Sequence, residues 1–507
     1  MLACLAQSMP AAGIDTDPFA PDLAFNGGAV IEDRFAATST STSMRASKMV
    51  RLSNGDVVVA GLVHEAYSSA GGLPKNVGLV RYGSGGSRVA WPNPTVAYSH
   101  FFNMYVEYPN SATAKFRQVR DVAAIAGYIF VLADYEYNLG PGVDDLDVQV
   151  LVFGEDGSFV GNYGAFTTGQ YEEGAGLVPY QIPNCNGIIS CPMLVAVANY
   201  RDATDVLANY KITAKRFAMG NSGPPSFIPN GTLIVDTTFG PYANGANDYV
   251  PTANCVDLDG CSLRATSVAA VRTNSASPTL YVTGQVDGTP GLEDTAVLGI
   301  DGGTGALLSD FGTGGFEALD LVTYAAFDYQ RPWDNGVAIL ATTFVGRSSD
   351  EVYVVSSVSM GCTSGVGIAK LRGVAGVLDG AFGSDGVAYY GGYDVGGCSP
   401  GDYPSTSPAA AAIQGERLAI AGLRQYPYEF DVAIVRASDG TVMDDRTQHP
   451  ASGGTQWNVF DAGWSDIVGN GNGAFVLAGT LRDPITNAGV FGTTQISSDR
   501  CFAANFE

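Results

Sequence analysis

The densest concentration of potential catalytic chemistry is Asp-Phe-Gly-Thr-Gly-Gly at 310–315, where an acid precedes three glycines. A phosphate-binding loop would need a following lysine and a helix, and a kinase Asp-Phe-Gly would need its catalytic-loop partner. Neither feature is present. Related runs at 234–245 and 377–388 keep the phenylalanine and glycines but vary the acid. The motif is therefore predicted to be structural, with Phe311 packed between sheets and the glycines turning the chain.

The loop Cys-Val-Asp-Leu-Asp-Gly-Cys at 255–261 is the best candidate for a metal site. Asp257 and Asp259 alternate and Gly260 permits a sharp turn, as in calcium-binding loops. The distant bidentate glutamate that completes such a loop is missing. We therefore predict no metal site and no cofactor, and calcium bound at this loop is the alternative.

Residues for acid–base or nucleophilic catalysis are sparse. The Gly-x-Ser-x-Gly motif of serine hydrolases is absent, and the three histidines, His64, His100 and His449, stand in separate loop-like contexts. Paired carboxylates that cleave glycosides meet only in space, so the sequence leaves them open. No catalytic residue is predicted. A hydrolase or lyase that acts on a polysaccharide is the alternative to a non-catalytic protein.

Aromatic side chains offer another kind of binding chemistry. The chain has 25 tyrosines, many of them in loop-like contexts. Such side chains stack on sugars or pack against partner proteins. The segments 133–138 and 388–393 are therefore the first places to seek a ligand, which is predicted to be a protein or a glycan.

Composition and charge exclude several classes of protein. The formal net charge is −24, from 26 basic and 50 acidic residues, and such a surface repels nucleic acid and anionic lipid. The absence of a long apolar run predicts no transmembrane helix. The 65 glycines and the low charged fraction of 15% favour strands and tight turns over helices. A monomer is predicted.

The cysteines indicate disulfides rather than zinc. The chain has eight cysteines but no Cys-x-x-Cys pair and few histidines, which is a poor pattern for zinc. Disulfides in turn predict a secreted, cell-surface or periplasmic protein. The candidate pairs are Cys185 with Cys191, Cys255 with Cys261, and Cys362 with Cys398.

The termini read as separate segments. Residues 1–20 resemble the end of a secretion leader or a disordered N-terminus, and Cys4 as a lipid-modified residue is the minor alternative. Residues 500–507 are predicted to form a C-terminal tail. The domain between them spans 21–499.

One apolar strand pattern recurs seven times across that domain. A second strand with a glycine-containing turn follows most copies, for example at 76–87 and 365–376, and the Phe-Gly motif completes the unit. A displaced copy of that motif stands at 21–31, before the first strand. The repeats indicate a seven-bladed β-propeller whose N-terminal strand completes the last blade. The copies lie at 55–61, 127–133, 192–198, 279–285, 336–342, 416–422 and 473–479.

This composite pattern resembles the delta-60 repeat family of secreted bacterial proteins, from about Asp22 to Asp499. The resemblance implies a bacterial, propeller-like repeat protein and brings no catalytic residues. We therefore predict a non-catalytic extracellular or cell-surface binding or structural module.

Overall fold

The computed structural model contains strands and turns almost throughout. The structure describes a set of residue ranges between Ile31 and Ile496. Among these residues, no helix is long and apolar enough to cross a membrane. The described ranges are 31–33, 43–64, 75–92, 103–106, 114–138, 144–166, 170–183, 190–201, 210–220, 232–240, 246–249, 262–271, 277–289, 292–321, 333–342, 350–360, 363–390, 405–425, 429–448, 463–471, 473–482 and 489–496.

In the described part of the chain, thirty strands form seven antiparallel sheets, and the strands of the first four sheets follow chain order. A short strand, β1 (Ile31–Asp33), precedes them. The first sheet contains β2 (Ser43–Arg51), β3 (Val57–His64), β4 (Lys75–Tyr82) and β5 (Asn103–Val106). The second contains β6 (Ala114–Ile125), β7 (Tyr128–Asn138), β8 (Asp144–Gly154) and β9 (Phe159–Phe166). The third contains β10 (Tyr171–Pro183), β11 (Ser190–Arg201), β12 (Lys211–Met219), β13 (Leu233–Val235) and β14 (Ala246–Tyr249). The fourth contains β15 (Ser262–Val271), β16 (Thr279–Thr289), β17 (Leu292–Asp301) and β18 (Phe316–Leu319).

The remaining three sheets repeat this plan, and the last one recruits β1. The fifth contains β19 (Trp333–Thr342), β20 (Glu351–Met360), β21 (Thr363–Arg372), β22 (Val377–Leu378) and β23 (Val387–Tyr390). The sixth contains β24 (Ser405–Gln414), β25 (Arg417–Gln425), β26 (Glu429–Arg436) and β27 (Val442–Gln448). The seventh contains β28 (Gly463–Gly469), β29 (Phe475–Arg482) and β30 (Gly489–Ile496), with β1 at its outer edge.

The sheets are the blades of a seven-bladed β-propeller. Each blade's first strand contacts the first strand of the next blade, and β28 contacts β2. Seven buried apolar clusters lie between the described residues of adjacent blades, one for each interface around the ring. Every sheet therefore buries both faces against its neighbours, which explains why the strands read as continuous apolar runs.

Strand β1 pairs with β30 in the seventh sheet, with Ile31 opposite Thr493. Ile31 is buried in the cluster between the seventh and first blades, together with Ala46 and Phe491. The displaced copy of the Phe-Gly motif at 21–30 lies outside the described residues. That this segment completes the last blade and closes the ring stays a prediction.

One of the seven recurring strands is placed differently from the sequence-based alignment. Six of them are the second strands of their blades, whereas 336–342 lies in β19, the first strand of the fifth blade. The second strand there is β20, Glu-Val-Tyr-Val-Val-Ser-Ser-Val-Ser-Met. Both segments are apolar because both are packed inside the ring, so apolar content alone does not distinguish them.

The Phe-Gly motif joins adjacent blades, as predicted. Phe311 is fully buried between the fourth and fifth blades, with its ring centroid 5.6 Å from that of Tyr281. The Gly312 N–H donates to the Ala375 carbonyl of the next blade at 2.9 Å. A Cβ on Gly312, whose φ is +49°, would stand 2.3 Å from a backbone oxygen. Asp310 is exposed, which explains why the acid varies between copies.

Candidate functional site

A β-bulge recurs in the first strand of every blade. Each register shift between the first and second strands leaves one first-strand residue unpaired. Bulges re-aim side chains and often accompany functional sites. The second blade has two such unpaired residues, Arg117 and Arg120, of which we take Arg120. We call the set with one residue from each blade the bulge ring, which consists of Ser47, Arg120, Ala175, Thr266, Val337, Ala409 and Ser465.

The bulge ring surrounds one cavity at the centre of the propeller. The cavity has a volume of about 440 Å³, and all seven members of the ring line it. Because neighbouring first strands contact each other around the whole circle, every blade contributes residues to the wall of this cavity. We call this cavity the central channel.

Basic side chains dominate the charged lining of the central channel. Arg45, Lys48, Arg120 and Arg264 line it, and among the described lining residues Glu173 is the sole carboxylate. This balance is the reverse of that of the whole chain, whose net charge is −24. Charge of one sign in a cleft with low-dielectric walls concentrates ligands of the opposite sign.

Glu173 is held in place by the cations around it. Its Oε2 accepts from Arg264 Nη2 at 2.6 Å, and its Oε1 lies 3.8 Å from Arg120 Nη2. The Tyr171 hydroxyl donates to Oε1 at 3.2 Å. The glutamate side chain is only 8% exposed, whereas that of Arg264 is 44% exposed. The surface presented to the channel here is therefore guanidinium rather than carboxylate.

Further carboxylates stand behind the wall and fasten neighbouring blades together. Asp121 accepts from the Leu177 N–H of the third blade at 2.7 Å, and Asp466 accepts from the Met49 N–H of the first blade at 2.6 Å. Ser267 makes the same kind of contact to Ile339 of the fifth blade at 3.4 Å. The residue that follows the bulge thus binds the next blade's first strand.

A second set of contacts is made from the second strands. Asp134 accepts from the Gly174 N–H at 2.8 Å and from Arg120 Nε at 2.5 Å. Asn199 exchanges two hydrogen bonds with the backbone of Ala265, at 2.6 and 2.8 Å. These polar groups are buried but satisfied, so they rigidify the channel wall rather than open it.

The electrostatic environment changes the proton affinity of these acids. Burial raises the pKa of Asp121 to about 6 against the opposing attraction of Lys48. Burial likewise raises the pKa of Asp134 to about 6 against the attraction of Arg120. Burial also raises the pKa of Asp466, which lies 3.8 Å from Lys48. Desolvation therefore outweighs ion pairing at all three positions.

An alternating stack of tyrosine and arginine side chains adjoins the channel at the third and fourth blades. The Arg264 guanidinium lies 5.2 Å from the Tyr210 ring centroid, and that of Arg201 lies 5.6 Å from the same ring and 4.4 Å from that of Tyr171. Burial, followed by the Glu173 charge, raises the pKa of Tyr171 to about 12. Cation–π contacts of this kind orient guanidinium groups while leaving them charged.

The described channel lining contains none of the candidate cysteines or histidines singled out from the sequence. Cys191 is buried in β11 and is disulfide-bonded. The other five candidate cysteines, the acids of loop 255–261 and two histidines, His100 and His449, lie outside the described residues. The disulfide pairing and a calcium site there therefore stay predictions. In the part of the chain that the structure describes, no group of three potential metal-ligating side chains is found.

Neither tyrosine-rich segment contributes a described residue to the channel lining. Residues 133–138 belong to β7, where Tyr135 is buried against Phe116. In the segment 388–393, Tyr389 donates to the Leu321 carbonyl and Tyr390 is buried, while 391–393 lie outside the described residues. The described tyrosines of both segments serve packing, and none of them lines the channel.

Similarity to known proteins is found among solved structures. No protein-family model matches the sequence, and no curated protein is similar to it. The chain is similar to a solved structure of a protein of unknown function from Dyadobacter fermentans, at 12% identity over 92% of this chain and 99% of that one, with a TM-score of 0.42. It is also similar to the polysaccharide lyase Uly1 (10% identity, 92% and 99% covered, TM-score 0.42) and to the Dos1 propeller (10%, 94% and 96%, TM-score 0.37).

The buried acids whose pKa is raised predict an unusual pH dependence of stability. A carboxyl whose folded pKa lies above its unfolded value stabilises the fold below the unfolded pKa, and that contribution is lost as pH rises through about 6. We therefore expect Asp121→Asn, which mimics the protonated acid, to reduce the difference in unfolding free energy between pH 5 and pH 8 by about 1–2 kcal/mol. Urea unfolding at both pH values measures it.

The control for this prediction is Asp310→Asn, which removes one negative charge from an exposed position. It accounts for the general relief of acidic self-repulsion at low pH, which acts on the whole chain. Equal pH dependence in the two variants would contradict the buried-acid explanation.

Proposed function

We propose that the protein is a non-catalytic extracellular or cell-surface binding module and that its ligand occupies the central channel. The observation that supports this proposal is the bulge ring, which brings one re-aimed residue from each blade to a single cavity. The volume of about 440 Å³ lies within the range of about 300–1,000 Å³ that is typical of ligand sites. A rigid wall fastened by inter-blade hydrogen bonds suits binding because little ordering is needed when a ligand enters.

The channel chemistry favours binding over catalysis. Glycoside cleavage requires two carboxyl groups that face the substrate. Among the described lining residues Glu173 is alone in carrying a carboxylate, and Arg264 and Tyr171 already engage it. Asp121 accepts hydrogen bonds from two backbone N–H groups, those of Val122 and Leu177, and serves the wall.

A polysaccharide hydrolase or lyase acting in the channel is the second candidate. One observation favours it, namely that Asp121 stands directly behind the channel wall and that burial raises its pKa to about 6, the range of a proton-transferring acid. Release of oligosaccharides from a polysaccharide by the wild-type protein, and its loss in Asp121→Asn, would establish this candidate over simple binding.

The test of the proposal blocks the channel. Ala409 is a small member of the bulge ring, so Ala409→Phe would place an aromatic ring in the cavity. Val377 is 58% exposed on the fifth blade, so Val377→Phe adds the same ring to an outer surface. We expect any oligosaccharide or peptide that binds the wild-type protein to lose at least tenfold in affinity for Ala409→Phe and to bind Val377→Phe normally.

Calorimetry with panels of neutral and acidic oligosaccharides and of peptides provides the measurement. Thermal unfolding of both variants verifies that each remains folded. Equal affinity of the ligand for the blocked variant and the wild-type protein would place the binding site elsewhere on the propeller and overturn the proposal.

A further inference from the structure

The cations that line the central channel are distributed around the ring rather than clustered. Arg45 and Lys48 come from the first blade, Arg120 from the second and Arg264 from the fourth. Arg45 and Arg264 occupy equivalent positions, each two residues before the bulge residue of its blade. With the first and fourth blades three places apart in a ring of seven, these two guanidinium groups lie on different sides of the channel.

The four cations differ in how far they are neutralised. Arg120 and Arg264 pair with acids, and Lys48 lies 3.8 Å from Asp466. Arg45 is exposed and makes no ion pair with the residues that the structure describes. An arginine fork has five donors in a fixed plane and matches carboxylate or sulfate geometry, so Arg45 is a ready anion contact.

The acids that balance these cations are largely withdrawn from the channel surface. The side chains of Asp134 and Asp466 are 1% and 12% exposed, whereas those of Lys48 and Arg120 are 31% and 22% exposed. A ligand inside the channel therefore meets the positive ends of these pairs first, and the negative ends lie behind them.

We infer that the central channel binds a small soluble ligand that carries at least two anionic groups, contacted by Arg45 and Arg264 from different sides. This inference rests on the proposed function, because it assumes that the channel is the binding site. Two separated forks favour two separated carboxylate or sulfate groups, as an acidic oligosaccharide presents. A singly charged ligand would engage Arg45 and leave Arg264 with Glu173 as its partner.

The affinity of the central channel for an anionic ligand should depend on pH. Asp121 faces Lys48 and Asp466, and Asp134 faces Arg120 and Glu173. Protonation of these two acids removes negative charge from behind the wall. An anionic ligand should therefore bind more tightly at pH 5.5 than at pH 7.5, since uronate carboxylates remain ionised in that range. A neutral ligand should show no such gain.

The experiment compares charged and neutral probes of the same size. Calorimetry with digalacturonate and with galactobiose, its neutral counterpart, is expected to give at least tenfold tighter binding of digalacturonate at low salt. Inorganic sulfate and citrate as competitors distinguish a general anion site from one that also reads the sugar. Displacement by either anion at low millimolar concentration would assign the specificity to charge alone.

Matched variants assign the effect to the channel. Arg45→Ala and Arg264→Ala are each expected to weaken digalacturonate binding about tenfold, and Arg45→Lys less. Arg372 is 64% exposed on the fifth blade and does not line the channel, so Arg372→Ala is the charge-matched control and should have no effect.

The outcomes separate the two proposals. If digalacturonate and the competitor anions fail to bind, or bind no better than galactobiose and independently of Arg45 and Arg264, the inference is overturned. A neutral ligand that Ala409→Phe excludes would then still support the channel as a binding site. Digalacturonate binding that Ala409→Phe leaves intact would overturn both.

Discussion

Phe311→Ala is expected to lower the free energy of unfolding by about 3–5 kcal/mol, the range for deleting a fully buried aromatic ring. Phe311 is 0% exposed and lies between the fourth and fifth blades, against Tyr281 and Val297. The ring also stands where a Cβ on Gly299 would be only 2.8 Å away, so the neighbouring backbone is shaped around it. Little collapse can fill the resulting cavity, because strands on both sides are held by their ladders.

Urea unfolding of Phe311→Ala, Phe382→Ala and Thr313→Ala provides the measurement. Phe382 is the equivalent residue between the fifth and sixth blades and should have a similar effect. Thr313 belongs to the same motif but is exposed, so its substitution should change stability by less than about 0.5 kcal/mol. Similar losses for Phe311→Ala and Thr313→Ala would mean that the motif stabilises through its turn rather than its aromatic ring.

The same motif shows why the architecture was predictable from the sequence. Packing of a propeller requires the aromatic and the glycine in each copy, so these residues recur and reveal the period. Phe239, Phe311 and Phe382 are all fully buried at blade interfaces. The glycine that follows each donates to the turn of the next blade, at 2.8 to 2.9 Å. Local chemistry repeated at a fixed period is what sequence reasoning detects.

The candidate site was missed because its residues vary from blade to blade. Apart from 336–342, the recurring pattern did not include the first strands, and their bulge residues range from alanine to arginine. Two blades do share a signal: Arg45-Ala-Ser-Lys and Arg264-Ala-Thr-Ser stand at equivalent positions. This short repeat, in a chain with few basic residues, could have identified the channel cations. That these cations meet at one cavity depends on the closed arrangement of the blades, which a local sequence pattern does not reveal.

A basic residue in the third strand of several blades forms another connection between blades. Arg81 reaches the Glu155 carbonyl of the second blade at 2.7 Å, and Arg216 reaches the Gly302 and Gly303 carbonyls of the fourth blade, each at 2.7 Å. Each of these cations also binds an acid of its own blade. They are therefore part of the scaffold, in contrast with the exposed cations of the channel.

Arg216→Met should cost about 3 kcal/mol of stability, because it removes a buried guanidinium that binds a partly buried acid and two backbone carbonyls. The Arg216 side chain is 5% exposed, its Nη2 lies 2.7 Å from Asp236 Oδ2, and its guanidinium lies 4.9 Å from the Phe239 ring centroid. Without the guanidinium, Asp236 loses its cation and the two carbonyls of the fourth blade lose their donor. Burying unpaired polar groups is what makes the loss large.

Arg216→Lys tests whether charge alone suffices at this position. The equivalent residue of the fifth blade is a lysine, Lys370, which lies 3.4 Å from Asp379 and 3.3 Å from Glu351. In the third blade the cation binds an acid and two carbonyls through separate nitrogens of one guanidinium, whereas an ammonium would have to reach all three acceptors from a single atom. We expect Arg216→Lys to recover about half of the loss. Arg372→Met removes an exposed guanidinium from an acid that Lys370 also binds, so it should cost less than about 1 kcal/mol. If Arg216→Met cost no more than Arg372→Met in urea unfolding, the contact between the third and fourth blades would rest on apolar packing alone.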